Sequence, residues 1–271
     1  MVDSVSPLSV LRRRISAIEQ QRPTAEGVHI STGHEGIDAA IGGGITRGCV
    51  HEMFALDPDD AGSVTGFAAM LALRLGGGIL WLRHEAMQKI SGRLHAAGLL
   101  EIGLDPAQVI VAVLPDPVSV LRAAADVVRC ADVGVAVVEL WRQPPALDLT
   151  ASRRLALAAE TSGVTVLLLR VDAEPTPSAA QTGWAIRSAA SAPLEANAPG
   201  YPTLEIKLLR QRGRPAGGCW QVEWDRESAV FRPADRNADA PIRTAPPGAV
   251  VSLPLSGPNA APSLVPLRRT G

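Results

Sequence analysis

The sequence predicts an α/β protein: a mostly parallel sheet covered by helices on both faces, with an antiparallel hairpin toward the C-terminus. Three observations carry this. The runs VGVAVVEL (133–140) and VTVLLLR (164–170) are apolar almost throughout and rich in β-branched residues, as strands buried on both faces are. Such runs alternate with helical stretches of about 12–15 residues, the pattern of right-handed β–α–β crossovers. After Val171 the rhythm changes, and 203–211 and 217–225 read as a hairpin joined by Arg212, Gly213, Arg214, Pro215 and Ala216.

In order, 7–21 places Leu8, Leu11, Ile15 and Ile18 at helical spacing with Arg12, Arg13 and Arg14 between them; Pro7 suits a first helical position and Pro23 lies just past the end. One short helix is marginal alone in water, so it is expected to dock on its own core or on another subunit. Residues 49–55 form a short strand, and 62–75 an apolar helix stopped by Gly76, Gly77 and Gly78. Then follow a strand at 79–82, a helix at 86–99 with Ile90 and Leu94 on one face, a strand at 108–114 and an alanine-rich helix at 117–130. The strand 133–140, the helix 149–162 and the strand 164–170 complete the parallel part, before a polar loop at 172–182 and a strand within 184–192. From Pro233 onward Pro, Ala, Gly and Ser dominate without periodicity, which reads as a disordered tail. Its scattered apolar residues, such as Val250, Leu253 and Leu264, suit a segment that folds on a partner. The organisation expected is an N-terminal helix and linker at 1–28, a core at 29–232 and a tail at 233–271.

The net charge of −1 over 271 residues gives no global basic field to collect nucleic acid, and 3% aromatic residues leave few stacking platforms. No apolar run reaches the roughly 18 residues of a membrane span, so no membrane partner is expected. No apolar stretch follows Arg12–Arg14, which argues against a secretory signal. Cys49, Cys130 and Cys219 are far apart in apolar contexts and read as buried thiols in a reducing cytoplasm, with no metal or disulfide framework.

The core opens with HISTGHEGIDAAIGGGITRGCVHEMFALDPDDAGSVTGFAAM at 29–70, a glycine-rich approach, a strand, a loop and a helix. Ile30–Gly33, Gly36–Gly44 and Arg47–Met53 resemble the approach to the nucleotide loop of bacterial RecA recombinases, over roughly residues 8 to 225. Within that superfamily ILWLRHEAMQ (79–88) and KLLRQRGRPAGGCWQVEWD (207–225) resemble the ImuA proteins. The resemblance implies a RecA-like P-loop NTPase fold. It also implies a role in SOS-induced DNA-damage tolerance beside RecA, an ImuB-like inactive Y-family polymerase and an error-prone replicative-type polymerase.

The loop itself departs from the phosphate-binding pattern G-x-x-x-x-G-K-[ST]. Ala55 replaces the first glycine, no lysine appears before Gly62, Ser63 and Thr65, and Asp57, Asp59 and Asp60 stand where a triphosphate would lie. Each carboxylate–phosphate contact costs about 1 kcal/mol at about 4 Å even in water. The acids suit helix capping, with Asp59 and Asp60 at the positive end of the next helix. By the resemblance, Glu85 falls at the water-activating position and Glu139 at the magnesium-carboxylate position. Without the lysine they have little to act on, and pairing with Arg83 or Arg142 is the simpler role. Arg210, Arg212 and Arg214 form the densest basic cluster, and the resemblance places them, with Leu11, Ile15 and Ile18, at a partner interface. The loop 172–182 takes the place of a DNA-contacting loop but has no Lys, Arg or aromatic residue, so DNA is expected to be reached only through partners. The reading is therefore a non-catalytic docking protein with no cofactor. The alternatives are an ATP-binding RecA-like ATPase with an atypical loop, an SOS cell-division inhibitor, and a stand-alone DNA-binding protein.

Overall fold

The computed structural model describes residues 27–194, 198 and 200–234. The predicted N-terminal helix, with Leu11, Ile15 and Ile18, and the predicted tail lie outside the described residues, apart from Pro233 and Ala234.

A nine-stranded sheet forms the centre. Its strands are β3 (Val50–Ala55), β4 (Gly78–His84), β5 (Val109–Leu114), β6 (Val133–Trp141), β7 (Thr165–Val171), β8 (Thr182–Ser188), β9 (Thr203–Gln211), β10 (Cys219–Asp225) and β11 (Val230–Pro233), in the spatial order β11-β10-β9-β8-β3-β7-β6-β4-β5. From β8 to β5 every pairing is parallel. From β8 to β11 every pairing is antiparallel. Strands β3 and β7 are buried at every residue, which is why their sequences read as continuous runs and not as alternation.

Helix α2 (Ala61–Leu75) packs on one face of the sheet, with Met53, Val137, Leu169 and Trp184 beneath it in one apolar core. Helices α5 (Pro117–Val127) and α6 (Leu149–Ser162) cover the other face, over Val50, Leu82, Val138 and Leu168. Asp116 and Asp148 cap these two helices through their carboxylates.

The glycine-rich approach holds structure that periodicity did not reveal. Strands β1 (His29–Ile30) and β2 (Ile45–Thr46) form a small antiparallel pair around helix α1 (Glu35–Ile41). Asp38 anchors the entry by accepting from the Thr32 N–H at 2.8 Å and the Thr32 hydroxyl at 2.7 Å. Gly44 is required here, because a Cβ would collide with the Ile30 carbonyl and its φ of 131° disfavours any other residue.

The long helix expected at 86–99 breaks. Helix α3 (Glu85–Ile90) stops before Gly92, whose φ is 79°, and helix α4 (Ala96–Glu101) starts afresh. Leu94 packs on the core while Ile90 is 63% exposed, so the two do not share a face. β11 was not predicted. Phe231 on it lies 5.2 Å from Phe67 and 4.9 Å from Trp224, ring centroid to centroid, and this aromatic contact fixes the last strand. The cysteine reading is corrected as well: Cys49 is half-buried, and Cys130 and Cys219 are exposed. No helix among the described residues is long and apolar enough to cross a membrane.

Candidate functional site

The turn from β3 into α2 closes on itself. Ala55 is buried at the strand end, and Pro58–Asp60 forms one turn of 3₁₀ helix. Asp57 caps that turn, its carboxylate accepting from the Asp59 N–H at 2.9 Å. The Asp60 N–H donates to the Asp57 carbonyl and the Ala61 N–H to the Pro58 carbonyl, while Pro58 has no N–H to offer. Three backbone donors of this stretch, those of Asp59, Asp60 and Ala61, are thus used within the loop and are turned away from any phosphate. The capping assignment to Asp59 and Asp60 is corrected. Asp57 is the cap, Asp59 is exposed, and Asp60 makes no side-chain cap to α2. Its carboxylate instead accepts from the Ser188 N–H at 2.7 Å and hydroxyl at 3.0 Å, tying the loop to the end of β8. Gly62 is exposed in the first turn of α2, and Ser63 and Thr65 are half-buried.

The two predicted glutamates are placed differently. By strand alternation Glu139 shares the α2 face with Val135 and Val137. It is buried, with Arg83 Nη2 donating to Oε1 at 2.9 Å and Trp81 Nε1 to Oε2 at 3.1 Å. The arginine pairing expected from sequence is therefore with Arg83. Arg142 instead bonds Asp172 at 3.0 Å, and both of these residues have positive φ at adjoining strand ends. Glu85 is exposed and pairs with Lys89 at 3.6 Å on the same short helix. His84 is buried, and among the described residues Nδ1 has no partner; burial lowers its pKa, against an opposing effect from the carboxylates of Glu139 and Asp116.

A second buried carboxylate was missed by sequence reasoning. Glu52 sits mid-strand on β3, 1% exposed, on the face opposite α2. Arg210 on β9 donates to it at 2.8 Å, Arg170 on β7 lies at 3.6 Å, and the Ser178 hydroxyl donates at 2.7 Å. Arg170 also donates to the side-chain amide oxygen of Gln143 and lies 5.5 Å over the Phe54 ring. Burial lowers the Arg170 pKa and Glu52 opposes that, so the guanidinium stays charged. Arg210 reaches Glu52 across Gly183, its cross-strand neighbour on β8, which has no side chain to block the way. The signal available in the sequence was a charge inside each of two otherwise apolar strands, HEMFA and VTVLLLR, since buried charges are found paired.

The three hairpin arginines do not form one cluster. Arg210 turns inward to Glu52, and only 32% of its side chain is exposed. Arg212 approaches Glu160 at 3.8 Å, and the Arg214 guanidinium lies against Gly42 at the C-terminal end of α1, where a helix favours positive charge. Arg212 and Arg214 remain exposed.

A buried histidine fastens β2, β3 and β8 together. Trp184 Nε1–H donates to the Thr182 hydroxyl oxygen at 2.7 Å, that hydroxyl donates to His51 Nδ1 at 2.7 Å, and His51 Nε2–H donates to the Thr46 carbonyl at 2.9 Å. Burial lowers the ring's pKa to about 4, which keeps it neutral near pH 7 and leaves Nδ1 to accept.

No protein-family model matches the sequence, and no curated protein matches it. Among solved structures it is similar to the RadB recombinase, at 14% identity and a TM-score of 0.52, over 76% of this chain and 100% of that one. The chain thus has the RecA-like fold: a large, mostly parallel sheet between helices, with antiparallel strands at one edge. At this identity the likeness defines the fold and leaves activity to be argued from the residues.

Proposed function

We propose that this chain is a non-catalytic RecA-like docking protein of SOS-induced DNA-damage tolerance. It would bind RecA together with an ImuB-like inactive Y-family polymerase and an error-prone replicative-type polymerase, and would reach DNA through them. The observation that carries the reading is the self-closed, triply acidic turn Leu56–Asp60 where an ATPase of this fold presents its phosphate cradle. The sheet also offers a docking edge. β5 is an edge strand with no charge, no proline and no bulge; Ile110, Val111 and Val113 are 66%, 40% and 45% exposed. Such an edge is a template for an added strand from a partner. Capture of RecA and of the ImuB-like protein by the full chain tests the reading. It fails if the wild-type chain retains neither. Val111→Lys combined with Val113→Lys, on one face of the edge, should weaken capture about tenfold or more if β5 is the contact.

The position of Glu139 on the α2 face favours a second reading, an ATPase with an atypical loop. Against it, both carboxylate oxygens are already engaged by Arg83 and Trp81.

A further inference from the structure

We propose that the cleft beside Arg210 binds a carboxylate carried on an apolar stem. The cleft has a volume of about 470 Å³ and is open to solvent, within the usual range of small-ligand sites. Its lining includes the apolar Phe54, Pro175, Pro177 and Leu209 and the polar Thr176, Ser178, Glu52 and Arg210.

The charge of the polar lining does not balance. Among the described residues Glu52 is the sole ion-pair partner of Arg170 and of Arg210, so two guanidiniums face one carboxylate. Donors are in surplus too. Nε of both arginines is buried without an acceptor, and Arg210 Nη1 has only the Thr176 and Ser178 carbonyls at 3.5 and 3.4 Å, at the long limit of a hydrogen bond. Arg170 is fully enclosed, whereas Arg210 keeps a third of its side chain open. One further anion at Arg210 would neutralise the group.

The surroundings select its chemistry. One surplus positive charge matches one carboxylate better than a phosphate monoester, which brings more negative charge. Two prolines and two apolar side chains favour a hydrocarbon stem over a sugar or a hydrated ion. A nucleic-acid strand is disfavoured, because the adjoining loop 172–182 continues the site with no cation and no aromatic. The same chemistry is offered by a free short-chain carboxylic acid and by an acidic side chain of an apolar peptide. The inference does not depend on the proposed docking role, and its test uses neither RecA nor any polymerase.

The test is calorimetric titration of the full chain with hexanoate and with acetyl-leucyl-glutamate amide, against hexanol, hexyl phosphate and an oligothymidylate. Saturable binding of either carboxylate, absent with hexanol, is expected. Hexanoate alone would identify the free acid as the ligand source, the dipeptide alone a peptide. Arg210→Gln should weaken binding about tenfold or more, the loss of one charged hydrogen bond. Thr176→Glu places a carboxylate in the cleft lining and should abolish binding by occupying the site. It decides the matter if the Arg210 variant does not fold. Failure of both carboxylates to bind overturns the proposal. So does equal or tighter binding of hexyl phosphate or the oligothymidylate, or carboxylate binding that survives the Arg210→Gln and Thr176→Glu substitutions.

Discussion

Two buried glutamates sit on opposite faces of the same sheet, and they are held in different ways. Glu139, on the α2 face, meets one guanidinium and one indole N–H in a dry setting, and its charge is balanced by Arg83 alone. Glu52, on the other face, meets two guanidiniums and a hydroxyl beside an open cleft. The first arrangement is complete without a ligand, although the resemblance puts the magnesium carboxylate at Glu139. The second has positive charge to spare, although the sequence reading placed only Arg210 of it, at a partner interface. Residue type at a family position therefore says less about capacity than the local balance of charges and donors does.

The largest expected effect probes that contrast. Glu52→Leu strands two buried or half-buried guanidiniums and should destabilise by about 4–5 kcal/mol in urea unfolding. Glu139→Leu strands one and should cost about 3–4 kcal/mol. The pair Arg83→Met with Glu139→Leu should recover most of that loss, because a dry, balanced pair is replaceable by apolar side chains of similar size. Glu52→Leu with Arg170→Met should recover less, since Arg210 remains unpaired. Equal recovery at the two sites would mean that both glutamates are held alike.

A smaller effect separates burial from charge pairing. His51 is held neutral, with its pKa lowered from 6.5 to about 4. The unfolded chain binds the proton first, so this contribution is intact above about pH 6.5 and is lost as pH falls toward 4. Between pH 7.5 and 5.5 the wild type should lose about 1.4 kcal/mol more than His51→Gln, compared by urea unfolding. The smallest effect concerns the closed turn. Asp57→Ala removes its cap and should cost about 1 kcal/mol, whereas Asp59→Ala, at an exposed side chain, should cost about 0.5 kcal/mol or less.

Much of the fold was legible because strands β3 and β7 are buried throughout, β6 is buried from Val135 to Leu140, and their crossover helices are regular. Leu149–Ser162 and Thr203–Gln211 match the predicted bounds. The Glu139–Arg83 pair was within reach for the same reason, since both lie near the ends of neighbouring strands. The helix break at Gly92 was readable from the glycine, but the apolar spacing of Ile90 and Leu94 outweighed it. The inward turn of Arg210 was not legible. It depends on β9 lying beside β8, on Gly183 being opposite, and on Glu52 one strand further on, 158 positions from Arg210 in the chain. Arg212 and Arg214 two and four positions on have no such gap to cross, and they remain at the surface.

The central claim is that the RecA-like frame is kept while its phosphate cradle is closed. Titration of the full chain with a fluorescent ATP analogue in the presence of magnesium tests it most directly. The account predicts no saturable binding in the micromolar range, and none gained on replacing Asp57, Asp59 and Asp60 together with asparagine. Micromolar binding by the wild-type chain, lost on Glu139→Gln, would contradict it.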